Sequence, residues 1–184
     1  MDTYTHGHAD AVLQSHRWRT VANSAAYLAP QLRAGLDVLD VGCGPGTITV
    51  DIARRVAPGR VVGLDVSPAP LAEARALAAR EGVAVEFAVG DVYALAAADD
   101  SADVVHAHQV LQHLTDPVAA LREMARVCRP GGVVAVRDVD YATFTWFPAN
   151  PGLDRWLELY SAVAEVLAWA YALDGDEQKR RGLR

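Results

Sequence analysis

The 184-residue sequence holds only two cysteines, Cys43 and Cys128, and neither belongs to a CxxC pair or another metal-like spacing. That excludes a disulfide-stapled scaffold or zinc ribbon and fits a reducing, cytoplasmic setting. Positive charge is scarce as well: 17 Lys plus Arg stand against 23 Asp plus Glu, a formal net charge of −6. Such a chain has no global field to gather phosphates, so nucleic acid is not an expected partner. Long apolar runs are missing. No stretch approaches the roughly 18 residues of a membrane span, and the opening MDTYTHGHADAV lacks the charged start and apolar run of a leader. Linkers, low-complexity segments and internal repeats are absent too. The length suits one domain with a substantial core.

What is present is a repeated alternation of short Val-rich runs and amphipathic stretches. Strands are predicted at 36–41, 61–65, 84–89, 103–107 and 133–139. Between them, Ile48, Ile52 and Val56 mark one helical face and Leu71, Ala74 and Leu77 another, the second capped by Ser67 with Pro68 in its first turn and Gly82 at its end. Thr115-Asp116-Pro117 opens a helix carrying Val118, Leu121, Ala125 and Cys128 inward, closed by Arg129-Pro130-Gly131-Gly132. Before the first strand, Trp18, Val21, Ala25, Leu28 and Leu32 predict a helix over 9–33. After the last, Leu153, Trp156, Tyr160, Val163 and Leu167 predict one reaching about 173, followed by a charged tail. The alternation implies a doubly wound α/β fold, a mostly parallel Rossmann-like sheet covered on both faces. It divides into an N-terminal helical segment or lid at 1–35, a ligand-binding core at 36–140, and an aromatic loop, helix and tail at 141–184.

In such a sheet ligands bind beyond the carboxyl ends of the strands, where the strand order reverses. The first strand ends in VLDVGCGPGT, with Gly42, Gly44 and Gly46 at every second position. Glycines there permit positive φ and close approach of the backbone to a ligand, and the helix beyond offers free N–H groups. A dinucleotide fold would use GxGxxG, whereas this loop reads GxGxG, with the anion Asp40 two residues before its first glycine. A carboxylate there repels phosphate and tolerates a zwitterionic or cationic ligand. Asp65 ends the second strand, 19 residues past Gly46, and could accept both hydroxyls of a ribose in either case. Asp91 at the third strand's end could accept from an adenine amine.

In these elements the chain resembles the class I S-adenosylmethionine-dependent methyltransferases, and within them the UbiE-like small-molecule enzymes. The resemblance runs from about residue 36 to 140, through VLDVGCGPGT, VVGLDVSP, VGDVYAL, VLQHLTDP and VCRPGGVVAV in order. It implies that Asp40 and the backbone of Gly42, Gly44 and Gly46 hold the methionine moiety of S-adenosyl-L-methionine. Asp65 would take the ribose hydroxyls, Val66 would pack on the adenine, Asp91 and the Val92 backbone would read its edge, and His108 and Gln109 would lie near the sulfonium. The implied reaction is in-line methyl transfer to a small-molecule acceptor, leaving S-adenosyl-L-homocysteine, with His113 as the candidate base.

His106, His108 and His113 lack a carboxylate or thiol to complete a ligand set, so no metal is expected. Tyr141, Phe144, Trp146 and Phe147 could wall an apolar acceptor pocket or anchor a loop in the core; His6, His8, His16 and Tyr4 could line a lid. The family's sheet has seven strands, and no sequence is evident for its last two. That leaves Val133–Val136 as an open apolar edge, expected in a chain shorter than its family or in a homodimer joined through this edge. Two alternatives follow: a cofactor-binding protein with little catalysis acting through a partner, and a nicotinamide-dependent dehydrogenase.

Overall fold

The computed structural model describes residues 17–139 and the backbone of a strand at Trp169–Ala172. The described elements are a short helix α1 (Val21–Ser24), strand β1 (Val38–Val41), helix α2 (Thr47–Val56), β2 (Val61–Asp65), α3 (Pro68–Glu81), β3 (Glu86–Val89), β4 (Ala102–His108), α4 (Pro117–Val127), β5 (Cys128–Arg137) and β6 (Trp169–Ala172), with single 3-10 turns at Ala29–Gln31 and Leu111–His113. They form one sheet in the order β3-β2-β1-β4-β5-β6. The first five strands are parallel, as the alternation of strands and helices predicts. The order reverses between β1 and β4, which opens a crevice at the carboxyl end of that pair.

Side-chain alternation divides the core into two layers. Leu39, Val41, Val105, Ala107, Val134 and Val136 point to one face and pack with Ala120, Met124 and Val127 of α4. Val38, Val61, Val104 and Ala135 point to the other and pack with Val21, Ala25, Leu28, Ile48, Ile52 and Val56. The inward stripe of α4 therefore runs through Ala120, Met124 and Val127, while Val118 is 50% exposed. Leu121 and Ala125 pack against the same layer, as the spacing predicts, and Cys128 is buried, but in β5. Arg129 to Gly132 likewise belong to β5, with a register shift between Ala102 and Val104 absorbing the irregularity.

Two further expectations change. The N-terminal segment is not one helix: Thr20 and Asn23 form a capping box that starts α1 afresh, and Pro30 sits in a separate 3-10 turn. Trp18 is 66% exposed, whereas Val21, Ala25 and Leu28 are fully buried. At the other end, residues 169–172, expected to be helical, form β6, which pairs antiparallel with β5 from Val133↔Ala172 to Val136↔Trp169. The apolar edge is thus covered from within the chain, so the reason for a dimer through it falls away. The bare N–H and C=O groups of β5 explain why a short apolar run becomes a strand there. The rest of the expected C-terminal helix, the aromatic loop, the charged tail and the N-terminal histidines lie outside the described residues.

Candidate functional site

The loop after β1 is shaped by its three glycines, all at positive φ: 68° at Gly42, 54° at Gly44 and 77° at Gly46. A Cβ on Gly42 would fall inside the Val110 side chain, and one on Gly46 would stand 2.7 Å from the Ala74 methyl. Both are packing glycines. Gly44 is different, because a Cβ there would meet nothing within 4 Å. Its backbone faces open space at the crevice. Asp65, half-buried at the end of β2, fastens this loop: Gly44 N–H donates to Oδ2 and Ser67 N–H to Oδ1, each at 2.9 Å. Val66 beside it is 44% exposed, Val92 is buried, and Asp91 accepts from Tyr93 N–H at 2.9 Å in a tight turn at the same rim.

Asp40 is turned inward. At 3% exposure its Oδ2 accepts from the Thr49 hydroxyl at 2.6 Å and its Oδ1 from His106 Nδ1 at 2.7 Å. Because a carboxylate only accepts, Nδ1 carries the proton, and Tyr27 OH lies 3.0 Å from His106 Nε2. Burial, then Asp40, push the Tyr27 phenol well up, so it remains a donor. This chain from α2 through β1 and β4 to the N-terminal segment was not foreseen: Asp40 and His106 are register partners on adjacent strands, which sequence spacing does not reveal. Further ties hold that segment to the rim, among them Arg19 to Gln109 Oε1 at 2.8 Å, Val21 N–H to Asp51 at 2.8 Å and Arg137 to the Ser24 carbonyl at 2.7 Å.

The methyltransferase-domain family matches residues 32–180. This chain belongs to the class I S-adenosylmethionine-dependent methyltransferases. An uncharacterized methyltransferase of Schizosaccharomyces pombe is 38% identical over 152 residues, 79% of this chain and 55% of its own length. A ubiquinone biosynthesis O-methyltransferase of Hahella chejuensis is 32% identical over 160 residues, 81% of this chain and 66% of its own. The ubiquinone/menaquinone biosynthesis C-methyltransferase UbiE of Bdellovibrio bacteriovorus is 37% identical over 117 residues, 64% of this chain and 50% of its own. The chain thus spans half to two thirds of these relatives. A solved methyltransferase structure from Aquifex aeolicus superimposes with a TM-score of 0.66, covering 88% of this chain and 90% of its own at 19% identity, a likeness of fold. Membership in this family displaces the dehydrogenase alternative.

The site suits the family's cofactor on its own chemistry. Gly44 leaves room where a side chain would intrude, two carboxylates line the rim, and the Cys43 thiol is kept protonated by burial and by Asp40 and Asp65, so it offers no nucleophile to an electrophilic methyl group.

On the other side of the crevice, β4 ends at His108, and Gln109 follows at φ 57°. Burial pushes His108 down to about 3, with Arg19, His106 and Arg137 adding to the effect, and its Nδ1 has no hydrogen-bond partner among the described residues. It stays neutral at physiological pH and is a poor proton acceptor. His113 follows in the 3-10 turn Leu111–His113. Its Nε2 lies 3.1 Å from Gln112 Nε2, while Gln112 Oε1 accepts from Val139 N–H at 3.1 Å. The second bond orients the amide, so its NH2 donates to His113 and keeps that ring nitrogen unprotonated. Thr49, Tyr27 and Gln112 are the site-supporting residues that sequence reasoning missed.

Proposed function

We propose that this chain performs S-adenosylmethionine-dependent methyl transfer to a small-molecule acceptor. The observation that carries the reading is Gly44: positive φ, no neighbour for a Cβ, and an N–H locked onto the carboxylate expected to take the ribose. The backbone of Gly42, Gly44 and Gly46 would hold the methionine moiety, with Asp40 acting through the loop it anchors instead of by direct contact. Asp65 would accept the ribose hydroxyls, Val66 would pack on the adenine, and Asp91 and the Val92 N–H would read its edge. His108 and Gln109 would border the sulfonium. When bound, S-adenosyl-L-methionine supplies an electrophilic methyl group, so the chemistry is the cofactor's and the chain's own work is alignment.

The acceptor side is built by β4, the turn after it and the N-terminal segment tied across them. Here His113 is the proposed base, its unprotonated Nε2 presented by Gln112. It accepts a proton from an acceptor hydroxyl as the Gln112 amide gives way. The small-molecule assignment is supported by the names of relatives such as the ubiquinone biosynthesis O-methyltransferase of H. chejuensis.

The test has two steps. Titration calorimetry should show S-adenosyl-L-homocysteine binding and no NAD binding. Radiolabelled methyl transfer over a panel of phenols, catechols, quinols and small acids should then find an acceptor. Failure to bind S-adenosyl-L-homocysteine would sink the reading, and binding without turnover would favour a cofactor-binding protein that works through a partner.

A further inference from the structure

Asp138 follows β5 directly, and its carboxylate accepts from the backbone of the turn after β4. The Gln112 N–H stands 3.3 Å from Oδ1. The next residue, Val139, holds the Gln112 side chain through its own N–H. Two successive residues therefore grip Gln112 by backbone and by amide, and Gln112 in turn determines which His113 nitrogen is unprotonated. We propose that Asp138 is a positioning residue for the acceptor side: it fixes the turn so that Gln112 holds His113 with an unprotonated Nε2. This rests on the reading of His113 as the base.

The carboxylate does this at a cost to itself. Its Oδ2 is buried without a hydrogen-bond partner among the described residues, and burial pushes the group up to about 6 although backbone N–H donation from the turn pulls the other way. The titratable groups facing it from neighbouring elements are His106 of β4 and Tyr27 of the N-terminal segment, with Arg137 beside it in the chain. A neutral residue could cap one turn with less desolvation. A charged carboxylate holds the Gln112 N–H more tightly than an amide oxygen would.

The experiment reads the His113 tautomer by 15N NMR in the full chain saturated with S-adenosyl-L-homocysteine. In the wild type Nδ1 should carry the proton. In Asp138→Ala the Gln112 amide should exchange at least tenfold faster and His113 should shift towards the Nε2–H form. Asp138→Asn, which keeps an acceptor oxygen, should restore most of the wild-type tautomer, and S-adenosyl-L-homocysteine affinity should stay within twofold in both variants. Should Asp138→Ala fail to fold, Asp138→Ser, with its acceptor too short for the turn, gives the same readout. An unchanged tautomer in the variant that folds overturns the proposal, as does a more than tenfold loss of S-adenosyl-L-homocysteine affinity in Asp138→Asn, which would put Asp138 in the cofactor site. Methyl transfer surviving in His113→Gln would instead overturn the base reading and leave the tautomer result standing.

Discussion

Substituting the loop glycines separates folding from binding, and Gly44→Ala is the sharpest case. An alanine at φ 54° adopts the left-handed region, which costs about 1 to 2 kcal/mol for an L-residue. Its methyl meets nothing within 4 Å, so no packing penalty adds to that. For a chain of this size the loss lowers Tm by about 2 to 8 °C. Gly42→Ala bears the same backbone cost and drives its methyl into Val110, adding about 1 to 3 kcal/mol of overpacking. Thermal unfolding should therefore rank Gly42→Ala well below Gly44→Ala. Calorimetry should show the opposite specificity: Gly44→Ala folds yet loses S-adenosyl-L-homocysteine affinity at least tenfold, because the methyl occupies the space the ligand needs. Wild-type affinity in a folded Gly44→Ala protein would refute the assignment of that loop face to the cofactor.

Asp65→Ala should weaken S-adenosyl-L-homocysteine binding by about 1.5 to 3 kcal/mol, the worth of a hydrogen bond to a charged group, and unchanged affinity would remove Asp65 from the site. The Asp138 carboxyl is raised from 3.8 to about 6 on folding, so the folded chain binds that proton more tightly than the unfolded one. Its contribution is present below about pH 4 and is lost as pH rises through 6, on the order of 3 kcal/mol for a two-unit shift. Urea unfolding should accordingly find Asp138→Asn gaining on the wild type at pH 7.5 relative to pH 4.5; a difference independent of pH would refute that shift. His106→Leu leaves Asp40 buried with one partner of its two and should cost about 3 kcal/mol in the same assay at pH 7.5.

Local signals carried the central elements. The bounds of α2, β2 and α3 follow from periodicity, from Pro68 at a helix start and from Gly82 at φ 64° as its stop, all of which act within a turn or two of chain. The signals misled where a partner distant in sequence decides the outcome. Trp18 fits a helical stripe yet is exposed, because Thr20 restarts the helix and the Val21 N–H is held by Asp51 of α2. Residues 169–172 fit helix or strand equally over so short a run, and the open edge of β5 selects the strand.

The same division runs through the site. Sequence alone determined that a glycine loop follows the first strand and that Asp65 and Asp91 stand at the next two strand ends, because strand ends and glycine spacing are properties of consecutive residues. Only the tertiary structure decided that Gly42 and Gly46 serve packing while Gly44 faces open space, that Asp40 meets His106 and through it Tyr27, and that Asp138 touches the turn bearing His113. Asp40 and His106 are 66 residues apart in the chain. Their meeting depends on the register of two strands and the burial of both side chains, quantities that exist only once the sheet has formed.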